Sequence, residues 1–448
     1  MPLSLWLAVG ALAVFVIGFY TADRILRWPH FVVVGVLVAL GVLDAVNGVV
    51  GAFTVGEKLT GPEIWMGRLS TAVLLAAVVF GLARPRFQAA GRLLCYTGVA
   101  FVAVPVVVGM LMGAFPVAML QTQVLTVGAL VAIWAAPRVS VAMVVLVAKV
   151  ALAITLVGSL VVLIVGAPDI WLEGEPSLIP GVPQRFQGAT YHPNVLGPLP
   201  IVYLLLERYR PSPIRIRIPL TVLAIGALVL TQSKTAAAAG AIAAVIILAM
   251  DQNRSRNERI AAGMLAVALF IAFTAYVTVI DDVIAPDATD RFRTLSGRTR
   301  LWGVGIRAWL EQPITGAGAL FFENWARVNN QLWAGQAHNQ FVQTVAEQGL
   351  VGLMGLIAYT GVMIDSALRS SHRSNATSVA LLLILLVRFL TETPMTGMGL
   401  EHWILYCLLI AWEREAAAEA AGGAVPQVAA RPTAPSELVS AGRPHSGP

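Results

Sequence analysis

Three basic side chains, far apart along the chain, are of types that suit proton transfer and anion binding. Lys234 lies in "LTQSKTA", Arg298 in "SGRTRLWGVGIRAWLEQP" and His338 in "AHNQFVQTVAEQGLVG". An imidazole titrates near neutral pH and can act as a general base. Lysine and arginine cations bind phosphate oxygens, arginine often through two parallel hydrogen bonds. These types predict a proton acceptor beside an anion site.

Arg298 lies on the tryptophan-bearing face of a predicted helix that ends at Pro313. The residues on its face, at 100° per residue, are Trp302, Gly305 and Trp309. If Ser296 is the N-cap, Arg298 falls in the first turn, where unbonded backbone N–H groups also favour an anion. Arg300 is the alternative ligand if the register differs by two residues.

His338 begins a predicted helix that continues to about residue 367. In one continuous helix, Gly349 and Gly352 would lie about 20° and about 40° from the histidine. Small residues let a neighbouring helix approach closely, so we predict that the glycines form a packing stripe below His338. The alternative is a histidine that only caps the helix or lies at the membrane interface.

Lys234 lies where two apolar arms meet. Both outer flanks of this stretch carry arginines, "ERYRPSPIRIR" before it and "DQNRSRNER" after it, so the chain is predicted to turn back at "TQSKT". Each arm is short for a full crossing, which predicts a turn below the outer surface. A cation there needs a wet cavity or an anion, unless Lys234 extends outward to water.

Four further residues are secondary candidates. Arg185 and His192 lie in a long loop and either reach a substrate or are simply solvated. Arg388 and Glu392 are four residues apart near the end of a late apolar run, and we expect them to neutralise each other. A substrate role is the alternative for that pair.

Composition identifies the elements that carry these residues. Of 448 residues, 58% are hydrophobic and 12% charged, with a mean hydropathy of +0.78. Soluble domains average about 25% charged residues. We therefore predict an all-α, polytopic integral membrane helix bundle. The net charge of +6 comes from short loops rather than a nucleic-acid surface, and both cysteines lie in apolar runs.

The apolar runs and Arg-rich connections predict about 13 spans with the N-terminus outside, or 12 if the first run lies differently. Two outer loops are long, about 167–193 and 281–348. We predict a membrane domain over 1–414, with short helices in the large extracytoplasmic loop 281–348, and a disordered cytoplasmic tail over 415–448. The predicted runs are 3–20, 31–51, 64–82, 93–113, 117–136, 139–166, 194–206, 216–231, 235–250, 260–280, 349–367, 378–391 and 400–412.

Four motifs together resemble the superfamily of bacterial O-antigen ligases and O-antigen polymerases. "HNQFVQTVAEQGLVG" fits its pattern H-[N/S/Q]-x9-G-x-x-[G/T/Y]. The three segments before it, "YHPNVLG", "LTQSKTA" and "GRTRLW", are similar to family segments that follow one another in this order. The resemblance spans roughly 190–355. Lys234 stands where the family usually has arginine, which keeps the charge but loses the bidentate fork.

The resemblance implies an integral-membrane glycosyltransferase of the GT-C class in the cytoplasmic (inner) membrane of a bacterium. Such an enzyme transfers a glycan from a polyprenyl diphosphate to a lipid, sugar or protein hydroxyl at the outer face. In this chain His338 would be the base, and Lys234 and Arg298, with Arg300 as the alternative, would bind the diphosphate. Arg185 and His192 could reach the glycan. The outer loops show no metal-ligand spacing, so we predict metal-independent transfer without a soluble cofactor.

Several functions remain compatible with these motifs. A ligase, a polysaccharide polymerase and a protein O-glycosylating enzyme share them, because the acceptor is selected by loop shape. A transporter or flippase of envelope glycolipids is the alternative from another class, although its ionisable residues would more often lie near the midplane. A non-catalytic scaffold for envelope assembly is the third.

Overall fold

The structure is helical almost throughout, which confirms the predicted all-α class. It is a computed structural model that describes residues 35–37, 88–111, 117–136, 140–166, 170–177, 179–182, 184–190, 192–277, 295–329, 335–396 and 398–422. The predicted runs 3–20 and 64–82, and most of 31–51, lie outside these residues. The helices are α1 Arg92–Leu111, α2 Val117–Ala135, α3 Val141–Val165, α4 Pro193–Leu196, α5 Pro198–Tyr209, α6 Ile214–Thr231, α7 Lys234–Met250, α8 Arg256–Ala275, α9 Leu295–Glu311, α10 Phe321–Val328, α11 Gln340–Arg369, α12 Thr377–Phe389 and α13 Leu400–Ala420.

Five of these helices are long and apolar enough to cross a bilayer, namely α1, α3, α6, α8 and α11. Three shorter apolar segments accompany them: α7, α12 and the part of α2 from Gln123 to Ala135. A helical membrane protein is thereby confirmed. The total of about 12–13 spans stays a prediction, since three of the predicted runs fall on undescribed residues.

The turn predicted at "TQSKT" is present between α6 and α7. Gln232 takes a left-handed conformation with φ 48°, and its N–H caps α6 at Val229 O. Ser233 then caps α7 by accepting from Ala236 N. Since a serine N-cap satisfies a free helical N–H, the local sequence both ends one helix and starts the next, and it places Lys234 in the first turn of α7.

The centre of the bundle is α13, whose residues from Leu400 to Trp412 are all buried. It packs against α3, α5, α11 and α12. The helix continues to Ala420, beyond the predicted end at 414, and Glu415 accepts from Val141 N at 3.0 Å. The predicted tail therefore begins with helix, because this tertiary bond extends it; the rest of the predicted tail, 423–448, lies outside the described residues.

The first long loop contains a feature that the sequence analysis did not anticipate, a small antiparallel hairpin. β1, Trp171–Pro176, pairs with β2, Gln184–Phe186, with an irregularity in register between Leu172 and Pro176. The rings of Trp171 and Phe186 pack together with centroids 5.4 Å apart. The hairpin fixes the position of Arg185 on β2.

Helix α11 is bent at Gly349, so the single straight helix predicted from His338 to 367 is wrong. Gly349 has φ 62° and ψ −156°, outside the helical region, and His338 lies before the N-cap Asn339 rather than within the helix. The turn 313–318 hydrogen-bonds across the bend: Ala317 N donates to Ala346 O at 2.7 Å, and Leu350 N donates to Pro313 O at 2.8 Å. We call this pairing of 313–318 with 346–351 the clasp.

Both glycines of the predicted stripe therefore have roles other than helix–helix packing. A Cβ at Gly349 would collide with the carbonyl of Ile314, and a Cβ at Gly316, φ 68°, would lie 2.5 Å from Gln348 N. Gly352 lies under the side chain of Gln348 from its own helix. Because a bend interrupts the 100° periodicity, angles computed across it have no meaning.

Replacing Gly349 by alanine should destabilise the protein by about 1–3 kcal/mol or more, because a positive φ and a backbone collision coincide. Gly361 is the matched control, since it lies in the same helix and a Cβ there meets nothing within 4 Å. Gly361→Ala should be neutral or stabilise by up to about 1 kcal/mol. Thermal unfolding in detergent measures both. Equal midpoints for the two variants would contradict the clasp.

Candidate active site

Glu392 is the centre of a buried polar cluster. It lies in the turn 390–399 between α12 and α13, and its side chain is 6% exposed. Its Oε2 is 3.2 Å from His338 Nδ1, and its Oε1 accepts from Asn194 Nδ2 at 2.7 Å. Arg298 Nη2 is 3.4 Å from the same Oε1. One carboxylate thus joins three segments that are distant in sequence.

His338 is held in an unusual backbone conformation by its neighbours. Its φ is 50°, a left-handed value that costs free energy in a non-glycine residue. On one side Ala337 N donates to Gln343 Oε1 at 2.7 Å, and on the other the Asn339 side chain caps α11. Strain of this kind persists where the surroundings over-determine it, and here it directs the imidazole at Glu392.

The contact with Glu392 assigns the proton on the imidazole. An ionised carboxylate only accepts hydrogen bonds, so the tautomer that satisfies this contact carries the proton on His338 Nδ1; Gln336 Nε2 lies 3.4 Å from the same nitrogen. The other nitrogen, Nε2, then has a free electron pair. A carboxylate that orients an imidazole in this way leaves a competent base.

Arg298 lies in the first turn of α9, as predicted, although the helix begins at Leu295 and the proposed N-cap Ser296 lies within it. Its Nη1 donates to Thr391 O at 2.8 Å, and its side chain is 16% exposed. The helix face that Arg298 shares with Trp302 packs against the protein, because Trp302 Nε1 donates to Ala337 O at 2.9 Å. Arg298 from α9 and His338 from the segment before α11 therefore approach Glu392 together, and the Trp302–Ala337 bond joins α9 to that segment.

Asn194 extends the cluster towards α7 and the hairpin. Its Oδ1 accepts from Ser233 Oγ at 3.0 Å and from Arg185 Nη2 at 2.8 Å. Arg185 also donates from Nε to Thr231 O at 3.1 Å. His192 caps α4 by accepting from Asn194 N at 3.1 Å. The ends of α4, α6, α7, α9, α11 and α12 are thus joined at one place.

Lys234 is adjacent to this cluster but is not inserted in it. The lysine is exposed, and its Nζ contacts the hydroxyl of Tyr276 at 3.1 Å; Ser233, the residue before it, bonds Asn194. Arg300 is exposed on α9, on a different face from Arg298. Of the two predicted registers, the one that selects Arg298 is the one that reaches the cluster.

The predicted mutual neutralisation of Arg388 and Glu392 is corrected by their ion pairs. Arg388, buried on α12, pairs with Glu401 at the start of α13, whereas Glu392 pairs with Arg298 and His338. The i, i+4 spacing predicts facing side chains only within a helix, and α12 ends at Phe389. Glu392 therefore lies beyond the helix and faces the cluster, while Arg388 stays in the bundle.

The charge of Glu392 is fixed by its surroundings. Burial by itself raises the pKa of this carboxyl, but His338, Arg298 and His192 outweigh burial and hold the pKa well below its usual range. A carboxyl with a depressed pKa contributes stability that is present above its unfolded pKa and lost as the pH falls through its folded pKa. Glu392 therefore stays ionised at neutral and mildly acidic pH.

Replacing Glu392 by glutamine should lower the unfolding midpoint, and the difference from wild type should not shrink between pH 8 and pH 5. It should shrink only below about pH 4, where an unfolded glutamate becomes protonated. Thermal unfolding in detergent across this range measures it, with the exposed Glu311→Gln as control. A difference that stays the same from pH 8 down to about pH 3 would mean that the pKa is not depressed.

Sequence reasoning found His338 and Arg298, but it ranked Glu392 as a secondary candidate and did not select Asn194. Asn194 and Glu392 are 198 residues apart in the chain. The motif "YHPNVLG", noted only for its family resemblance, contains Asn194. A buried amide and carboxylate that meet only in the folded bundle leave little other local signal.

The fold and cluster define a multi-pass helical membrane protein in which an oriented histidine, Arg185 and Arg298 meet at the helix ends. Residues 219–357 match the family model described as O-Antigen ligase, which confirms the resemblance to the ligase and polymerase superfamily over that segment. The match runs from α6 into α11 and includes Lys234, Arg298 and His338. No curated protein matches the chain.

Proposed function

We propose that the chain is a membrane glycosyltransferase of the O-antigen ligase type. It transfers a glycan from a polyprenyl diphosphate to an acceptor hydroxyl at the outer face of the cytoplasmic membrane. The observation that carries this proposal is the 3.2 Å contact between His338 Nδ1 and the buried carboxylate of Glu392, with Arg298 on the same carboxylate. The family match supports the donor class.

His338 acts as the general base. Glu392 holds the Nδ1 proton, so Nε2 accepts the proton of the acceptor hydroxyl as that oxygen attacks the anomeric carbon of the donor glycan. General-base catalysis of this kind contributes about 10²–10⁴-fold to a rate. Glu392 touches no substrate atom in this scheme and serves as a positioning residue, stabilising the imidazolium that forms.

Arg298 and Lys234 stabilise the leaving group. A guanidinium has five N–H donors, so Arg298 can keep its bonds to Thr391 and Glu392 and still donate to a phosphate oxygen. The exposed ammonium of Lys234 at the start of α7 adds a second cation beside free helical N–H groups. Cations placed where charge develops stabilise the transition state most in a site that excludes water.

The reaction balances without another reactant. The acceptor oxygen forms a bond to the anomeric carbon, and the bond from that carbon to the diphosphate oxygen breaks, leaving its electron pair on the diphosphate. The hydroxyl proton ends on His338 Nε2 and is later lost to water. One displacement of this kind inverts the configuration at the anomeric carbon.

The test is to incubate the purified protein in detergent with a polyprenyl-diphosphate glycan and candidate acceptors. A single transferred glycan would identify a ligase, and a ladder of products a polymerase. Absence of product with every acceptor, combined with movement of the intact glycan lipid across proteoliposomes, would contradict the proposal and support a transporter. If both activities are absent, a scaffold role is favoured.

A further inference from the structure

Two side chains compete for the Nδ1 atom of His338. Glu392 Oε2, an acceptor, is 3.2 Å from that nitrogen, and Gln336 Nε2, a donor, is 3.4 Å from it. Gln336 is oriented by Thr393, whose hydroxyl donates to the amide oxygen at 2.6 Å and leaves the amide nitrogen towards the imidazole. A neutral imidazole carries one proton, on either nitrogen, and the hydrogen bond made at one nitrogen decides which.

The outcome of this competition decides whether His338 can act as a base. With Glu392 as the partner, Nδ1 is protonated and Nε2 keeps the electron pair that the proposed transfer needs. With Gln336 as the partner, Nδ1 accepts a hydrogen bond and the proton lies on Nε2, which then has no electron pair to offer. The histidine is therefore competent only while the carboxylate stays within reach of Nδ1.

Glu392 needs support from other segments to stay there, because it lies beyond the end of α12, in the turn 390–399. Among the contacts of its carboxylate with the described residues, the shortest is the hydrogen bond from Asn194 Nδ2 to Oε1, at 2.7 Å. The contact from Arg298 to the same oxygen is longer, at 3.4 Å. A donor that holds Oε1 keeps Oε2 directed at His338.

The amide of Asn194 is fixed with its nitrogen towards Glu392. Arg185 has only N–H donors, and its Nη2 is 2.8 Å from Asn194 Oδ1, so the atom on that side is the oxygen. The Ser233 hydroxyl donates to the same oxygen at 3.0 Å. The backbone is held as well, since Asn194 N donates to His192 Nδ1 at 3.1 Å. The amide therefore presents a donor to a carboxylate that only accepts.

From this arrangement we infer that Asn194 is a positioning residue that selects the tautomer of His338. It acts through Glu392, which it holds against Nδ1, and it thereby keeps Gln336 from becoming the partner of that nitrogen. The inference rests on the proposed function for its effect on catalysis, whereas the tautomer itself can be measured without turnover.

The first experiment measures the tautomer by nitrogen NMR of protein in nanodiscs with ¹⁵N-labelled histidine. It is done at about pH 9, well above the pKa of about 6.5 of an ordinary imidazole, and the His338 signals are those missing from His338→Ala. We expect a protonated Nδ1 in wild type and in Asn257→Ala, an exposed control. Asn194→Ala, and Asn194→Leu of nearly the original size, should shift the proton towards Nε2. A protonated Nε2 in wild type, or an unchanged tautomer in a folded Asn194 variant, overturns the inference.

The second experiment uses turnover and a compensating change. Asn194→Ala should lower kcat about tenfold, because part of the imidazole takes the inactive tautomer, while the Kd for the polyprenyl-diphosphate donor stays unchanged. Adding Gln336→Leu removes the competing donor and should restore both the protonated Nδ1 and part of kcat. A loss of kcat that Gln336→Leu does not reverse, or an equal loss of donor affinity, overturns the inference. If wild-type protein transfers nothing, the proposed function fails instead, and the NMR experiment still decides on Asn194.

Discussion

Replacing His338 by alanine is expected to lower the transfer rate by about 10²–10⁴-fold, because the acceptor hydroxyl loses its base. The donor should still bind with an unchanged Kd, since the imidazole contacts Glu392 rather than a cation site. The rate is measured with saturating donor and acceptor, and donor binding is measured separately. A loss confined to kcat identifies a group that acts in the transition state.

His372→Ala is the matched control. His372 is exposed in the turn 370–376 between α11 and α12, and its replacement should leave both rate and stability unchanged. If His338→Ala lost activity only in proportion to its loss of folded protein, or if both histidine variants fell equally, the assignment of His338 as base would be wrong.

Replacing Arg298 by alanine should have the second-largest effect, about 10²–10³-fold on the rate, together with weaker donor binding. It removes a cation from the leaving group and two hydrogen bonds, to Thr391 O and to Glu392. The loss of these two hydrogen bonds should also lower the free energy of unfolding by about 1–3 kcal/mol. Donor Kd, rate and unfolding midpoint are measured on the same preparation.

Two variants distinguish the effect of the positive charge of Arg298 from its effect on the structure around Glu392. Arg307→Ala removes an exposed arginine from the same helix and should change nothing. Arg298→Lys keeps the charge but loses the planar fork, so it should recover part of the donor affinity. Unchanged donor affinity in Arg298→Ala would show that this arginine only supports Glu392.

The helices of this protein could be predicted closely because hydropathy and arginine-rich connections carry their signal locally. The predicted run 216–231 corresponds to α6, and 378–391 to α12. The hairpin β1–β2 was missed because its strands are short and lie in a loop rich in proline and glycine. The bend in α11 was missed because a helical wheel assumes a straight axis, whereas the residues on either side of Gly349 hydrogen-bond to the turn 313–318.

The site was predictable in its residue types and only partly in its connections. His338 and Arg298 stand out because polar groups are rare in such a chain. The partnership between Glu392 and these residues depends on which groups other segments bring to the end of α12. Glu401 of α13 pairs with Arg388, and Arg298 of α9 pairs with Glu392, and spacing within α12 does not report either contact.

The clasp has a consequence for how such a chain can diversify. The strand-like bonds between 313–318 and 346–351 tie the histidine's helix to α9, independently of the stretch between them. The exposed residues Glu323, Asn324, Arg327 and Val328 can therefore be exchanged while His338 and Arg298 keep their spacing, whereas the buried Phe322 and Ala326 pack against the helix of Arg298 and must be kept. We expect chimeras in this stretch to alter which molecule receives the glycan, with the transfer chemistry conserved.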